Sequence, residues 1–327
     1  MATPYLTRGG GLAAAAVLLA VGSLTACSGG SQQAGADGPA AASAEPLAPP
    51  PIGTVPILAA DVASRALPID PYLLDRDQRG QLDSAMRMVT ERCMAGFGFG
   101  YHVPGGTDAG FAPATRTANR YLVSDPAFAA QYGYHAKVQP PAPPSGDAPT
   151  GAMAVALGGT ADPSVKPGSK AATGGQNING RTVPRGGCVG EALDRTGASE
   201  QNGNGGDDRL ARDLDAQAWA ASKADSRVLA AFRSWSDCMK AQGYAYGTPI
   251  DANADPQWTG GAVASAKERA TATADAQCKV RANVVGIWFT VEAAYESKLI
   301  EQHAEALAAV KQDIDRRMRM AAQAIAS

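Results

Sequence analysis

Five cysteines hold most of the reactive chemistry of this 327-residue chain: Cys27, Cys93, Cys188, Cys238 and Cys278. Cys27 follows an apolar leader and stands apart. The other four are an even number, and two chemistries suit them. In an oxidising compartment they pair into two disulfides, with three pairings open. Alternatively, four thiolates hold a structural zinc ion, which favours closely spaced C-x-x-C pairs. No such pair occurs, and the three histidines, His102, His135 and His303, are scattered. Disulfides are therefore the expectation. A third chemistry, thiol–disulfide exchange, needs an exposed thiolate of lowered pKa. Cys188, near a helix start, is the one position where a thiolate would be stabilised.

Acid–base and nucleophilic chemistry is less well marked. No histidine lies in H-E-x-x-H, and no G-x-S-x-G elbow is present. A Ser-His-Asp triad meets only in space and leaves no spacing to read. Asp207-Asp208, and Glu191 with Asp194, are the carboxylate pairs available for glycoside chemistry. Asp207-Asp208 reads more simply as an acidic first helical turn, where the helix dipole favours negative charge. Lys311, Arg316, Arg317 and Arg319 read as a solvated cluster in the last helix, able to meet an acidic partner or lipid head groups. Phe97, Phe99, Tyr101, Tyr244, Tyr246 and Trp258 could line a sugar- or peptide-binding face, but with 6% aromatic residues their bulk is wanted in the core. No catalytic, cofactor-binding or metal-ligating residue is assigned from the sequence, and no cofactor is expected.

The elements that position the cysteines are clearer. Cys93-Met94-Ala95-Gly96-Phe97-Gly98-Phe99-Gly100-Tyr101 aligns with Cys238-Met239-Lys240-Ala241-Gln242-Gly243-Tyr244-Ala245-Tyr246. Both read C-M-x-x-x-G-[FY]-x-[FY]. A cysteine sits in the last turn of a helix, a glycine supplies the left-handed residue that stops it, and two aromatics share one face of an extended segment. Two such units could pair their short strands in one sheet. The repeat favours Cys93–Cys188 and Cys238–Cys278, each helix-end cysteine taking the next one downstream.

Leu82, Met86, Val89 and Cys93 recur at helical spacing and predict a helix over 76–96, led in by Asp75 and Asp77. Asp125, Pro126 and Gly133 bracket a short helix at 126–132. Residues 103–118, 138–176 and 244–261 read as loop, the second of them as a loop or disordered insertion. Asn179-Gly180 between Ile178 and Val183 signals a tight hairpin, and Gly186-Gly187-Cys188 opens a short helix. A helix-permissive stretch covers 207–223. Asp225 caps a helix whose apolar face is Val228, Phe232, Trp235 and Met239, with Gly243 as its stop. From about Val263 to Ala324 helical spacing continues through Trp288, Val291, Tyr295, His303, Leu307 and Ile314. One straight helix of that length would reach roughly 90 Å at 1.5 Å per residue, so a break near Gly286 or a protruding end is expected. The fold class is mainly α: a disulfide-stapled helical domain with a small antiparallel β element and a long C-terminal helix.

Residues 1–26 read as a signal peptide: Arg8, then a short apolar core, then Leu24-Thr25-Ala26 before Cys27. That tetrapeptide resembles the bacterial lipobox, in which the cysteine thiol takes the lipid. Residues 27–66 read as the lipidated Cys27 and a flexible Ala/Gly/Pro tether, and 67–327 as a helical extracytoplasmic domain. No other stretch is long and apolar enough to span a bilayer. The formal net charge of −2 argues against nucleic acid as a partner.

Several segments together resemble uncharacterised lipoproteins of high-GC actinobacteria. They are the lipobox at Cys27, Leu67-Pro68-Ile69-Asp70-Pro71-Tyr72-Leu73, Arg92-Cys93-Met94, Arg120-Tyr121, Tyr132-Gly133-Tyr134-His135, Gly186-Gly187-Cys188-Val189-Gly190-Glu191-Ala192, Trp235-Ser236-Asp237-Cys238-Met239 and Asp275 with Cys278-Lys279. The resemblance covers most of residues 67–310. It implies an anchor at the extracytoplasmic face of the cell membrane and a helical fold, and brings no activity. The expected function is a non-enzymatic binding or accessory protein of a cell-envelope system, partnered by the membrane through lipid on Cys27 and by an envelope protein complex or the cell wall. A cell-envelope hydrolase is the alternative.

Overall fold

Cys93 and Cys188 are bonded to each other, as are Cys238 and Cys278, closing loops of 95 and 40 residues. On the chain-entropy model such loops contribute about 4–5 kcal/mol each before strain. With all four thiols consumed, the zinc-site reading and the free Cys188 thiolate both fall. The structure is a computed structural model that describes residues 47–104, 115–135, 148–199, 207–261 and 263–327. Cys27 and the leader lie outside those residues.

Each disulfide joins the last turn of one helix to a later helix that packs on it, α1 to α4 and α6 to α8. Helix α1 (Arg76–Gly96) starts in a capping box, Asp75 accepting from the Gln78 backbone N–H and Gln78 accepting from that of Asp75. Helices α2 (Pro126–Tyr132), α3 (Gly151–Gly158) and α4 (Gly187–Thr196) follow, and α4 packs along α1 beside the first disulfide. Helices α5 (Arg209–Ala224) and α6 (Ser226–Ala241) are separated by Asp225, whose carboxylate caps α6 through the Arg227 backbone N–H. After α7 (Pro249–Asn253) come α8 (Ala266–Arg281), α9 (Val284–Gln302) and α10 (Ala304–Ala326). The fold is mainly helical, as expected.

The repeated motif ends α1 and α6 in the same way. Gly98 and Gly243 have φ of +81° and +87°. Gly98 N–H donates to Ala95 O and Phe99 N–H to Met94 O. In the second unit Gly243 N–H donates to Lys240 O and Tyr244 N–H to Met239 O. The aromatics that follow do not pair with each other. The sheet is instead the hairpin of β1 (Asn177–Ile178) and β2 (Arg181–Thr182), turned by Asn179 and Gly180, both at positive φ. Asn179 donates its side-chain amide to Phe97 O, so the hairpin seals the end of α1.

Three other expectations are corrected. The tether ends earlier than residue 66: Leu47 and Ile52 pack against the main core, and Leu58 and Val62 are buried in it. This strap is held through its backbone. Lys298 Nζ donates to Ala48 O, Arg227 Nη1 to Pro50 O, and Asn283 bonds both Pro56 O and Leu58 N–H. Second, the loop expected over 138–176 contains α3, whose Ala156 is buried against Cys93 and Cys188. Small residues there pack by close approach. At Gly187 an added Cβ would lie 2.4–2.5 Å from Gly159 N and Leu157 O. Third, 244–261 is not all loop, since α7 and a 3-10 turn at Pro256–Thr259 lie within it. The C-terminal stretch has the expected break and a second one. Asn283, at φ +46°, separates α8 from α9, close to the expected Gly286, and His303 separates α9 from α10. Helix α10 folds back onto α1, burying Ile314 and Ala321 with Leu82 and Ala85, so its end does not protrude.

The main core lies between α5, α6, α8, α9 and the strap. Trp219 and Trp288 stack at 4.6 Å, Tyr121 and Phe232 meet Trp288 edge-on, and Trp288 donates its indole N–H to Ser222. No helix among the described residues is long and apolar enough to cross a membrane.

Candidate functional site

Helix α9 carries Glu292 and Glu296 one turn apart, and both are buried, at 0% and 1% exposure. They adjoin the row Trp288, Val291, Tyr295 and Leu299 that faces the core. Two carboxylates in such a place require partners. Glu292 Oε2 accepts from the Tyr121 hydroxyl at 2.6 Å, and its Oε1 accepts from Arg120 Nε at 2.7 Å and from Nη2. Arg120 also meets Asp215 of α5 at 2.5 Å, and its guanidinium lies over the Trp219 ring. Arg116, from a 3-10 turn at Arg116–Ala118, bridges Asp215 at 2.6 Å and Asp70 at 2.5 Å.

Glu296 is served differently. Its Oε2 accepts from Ile69 N–H at 3.0 Å, and its Oε1 has no hydrogen-bond partner. Burial, with Glu292 and Asp215 adding repulsion, pushes the Glu296 carboxyl up to about 8. Burial also pushes Glu292 up, opposed by Arg120 and the Tyr121 hydroxyl, which stabilise its ionised form. One oxygen each from Asp215, Glu292 and Glu296 lie within 4.8 Å of one another, an all-oxygen donor set suited to a hard cation.

A second polar centre lies on α8. Asp275 accepts from Lys279 Nζ at 2.8 Å and from the Trp235 indole N–H at 2.9 Å, and Lys279 also donates to Val123 O. One turn before Asp275 on the same helix lies Thr271, and Glu268 begins the helix under the N-cap Ser265. Glu268 Oε1 lies 2.7 Å from His135 Nδ1, and His135 Nε2 lies 2.9 Å from Gly261 O. Both neighbours are acceptors, which favours the imidazolium form of the ring. These two hydrogen bonds hold the His135 pKa up, and neither nitrogen is free to take a proton from a substrate. Beside it a cleft of about 240 Å³ is lined by Tyr134, His135, Asn253, Asp255, Trp258 and Thr259. Tyr134 and Trp258 stack against each other at 5.7 Å.

The residues singled out in the sequence are dispersed. His102 is exposed near Glu91, and His303 is an exposed C-cap rather than part of an apolar stripe. Asp207 and Asp208 precede α5 and pair with Arg209 and Arg212. Glu191 faces Arg195, and Asp194 lies on the same helix. Phe97, Phe99 and Tyr101 pack around the first disulfide, Tyr244 and Tyr246 pack against the main core, and Trp258 is buried. Of the basic cluster, Lys311 and Arg316 pair with Asp315 and Asp313 on the surface, and Arg319 is exposed. Arg317 is instead fully buried, correcting the solvated reading.

The charged centre on α9 escaped sequence reading because its parts come from four separated segments, around Asp70, Arg116–Tyr121, Asp215 and Glu292–Glu296. One signal pointed to it: glutamates at i and i+4 beside an apolar row that includes two aromatics. Comparison of the chain with protein-family models, with curated proteins and with solved structures returns no match in any of the three.

Proposed function

We propose that the chain is a lipid-anchored accessory protein on the extracytoplasmic face of a bacterial cell membrane, and that its helical unit is a binding module of an envelope system. The two disulfides carry this reading, since such bonds persist in oxidising compartments. The lipobox-like Leu24-Thr25-Ala26-Cys27 and the resemblance to actinobacterial lipoproteins support the anchor. Two or three acyl chains on Cys27, at about 0.8 kcal/mol per buried CH₂, would hold it stably. The partner is an envelope protein complex or a wall polymer, and the cleft at Tyr134, Asp255 and Thr259 is a polar recess for part of such a ligand.

The test is metabolic labelling with a palmitate analogue in a bacterial host. Wild type is expected in the membrane fraction with label on Cys27. Cys27→Ala is expected to be unlabelled and released, with both disulfides intact. Label on the Cys27→Ala variant, or reduced thiols in the native protein, would overturn the assignment. Cross-linking in intact cells then examines the binding role: a defined partner supports it, and release of fragments from purified wall polymer favours the hydrolase.

A further inference from the structure

Acidic residues gather on many proteins without binding anything, so Asp215, Glu292 and Glu296 need more than proximity to make a site. The further observation is Glu296 itself. It is sealed from solvent, its Oε2 is taken by Ile69 N–H, and its Oε1 meets no donor, while one of its carboxylate oxygens lies within 4.8 Å of one each from Asp215 and Glu292. A buried acceptor in that state costs free energy until a cation or a proton reaches it. The charges around it point the same way. Asp70, Asp215, Glu292 and Glu296 face two cations, Arg116 and Arg120. With all four carboxylates ionised, two negative charges have no counter-charge in the cluster. A divalent cation matches that deficit.

The geometry points to a binding site for a hard divalent cation at Asp215, Glu292 and Glu296, with the unpartnered Oε1 of Glu296 as a ligand. All-oxygen carboxylate donors suit calcium, magnesium or manganese. Entry is from the rim, where Asp215 and Arg116 are about one-fifth exposed, and water completes the coordination.

The experiment is calorimetric titration of the full-length mature protein with calcium chloride, at pH 6, 7 and 8. Manganese chloride is the spectroscopic probe, followed by electron paramagnetic resonance. The expected result is one saturable site per chain. Glu296→Gln keeps the shape of the side chain, so it should retain wild-type helicity and both disulfides while losing at least about tenfold in affinity. Absence of saturation with either ion at about 10 mM, above the range of extracellular calcium modules, would overturn the site. So would undiminished binding by Glu296→Gln.

Discussion

Lys279 and Asp275 form an ion pair one helical turn apart with both side chains sealed from water, at 1% and 0% exposure, Nζ to Oδ2 being 2.8 Å. Burial pushes the Asp275 carboxyl up and the Lys279 ammonium down, and the attraction between the two opposes both shifts. Trp235 from α6 and the Val123 carbonyl complete the shell.

Breaking that pair one-sidedly leaves a buried charge. Lys279→Met is expected to cost about 3–5 kcal/mol, read as a lowered urea midpoint. Lys279→Met combined with Asp275→Leu should recover much of the loss. A double variant no better than the single one would show that the ion pair is not the source of the penalty.

Glu296 makes stability fall as pH rises. Its folded pKa, about 8, lies above its ordinary value near 4.5, so the native state holds a proton that the unfolded chain has released. That contribution is complete below about pH 4.5 and is lost as pH climbs through 8. Glu296→Gln should therefore gain on wild type progressively across this window in cation-free buffer, by on the order of a few kcal/mol at its upper end. Chemical denaturation at pH 5, 7 and 8.5 measures the divergence.

His135 acts in the same direction through a different group. Its folded pKa is raised by Glu268 and the Gly261 carbonyl. The stabilisation is present below the unfolded value near 6.5 and disappears as pH rises past the folded one. Imidazole NMR should show a titration midpoint above 6.5, and Glu268→Gln should bring it down.

Gly286 reverses a familiar rule. Glycine to alanine inside a helix ordinarily stabilises by about 0.5–1 kcal/mol. At Gly286 in α9 the added Cβ would lie 2.0 Å from Pro56 O in the strap. Gly286→Ala is expected to destabilise by about 1–3 kcal/mol and to raise hydrogen exchange at Leu58, whose N–H is held by Asn283.

Much of the helical frame was legible because its punctuation is local. Asp75 with Gln78, Asp125 with Pro126, and Asp225 each mark a helix start, and Gly98 and Gly243 each mark a stop. The cysteine pairing followed from the repeat, which the shared cap geometry bears out. Helix α3 was hidden because Gly151–Gly158 has no amphipathic face to detect, and its packing depends on small residues approaching other backbones. The strap was hidden because scattered apolar side chains in a Pro- and Ala-rich run look unable to pack, and its anchors, Arg227, Asn283 and Lys298, lie more than a hundred residues away. Arg317 looked solvated beside other basic residues, although its position puts it on the buried side of α10.

The strap also fixes how the fold answers a mechanical pull on its N-terminal side. Tension entering at Leu47 meets the Lys298–Ala48 bond first, then Arg227–Pro50, then the Asn283 clasp at Pro56 and Leu58. These yield one after another, like a zip, each at modest force, before the tryptophan core is loaded. Beyond them the two covalent bridges remove 95 and 40 residues from the extensible chain, each residue worth about 3.5 Å. Under tension the strap thus acts as a soft leash in series with two cross-linked loops that cannot lengthen while their disulfides stand.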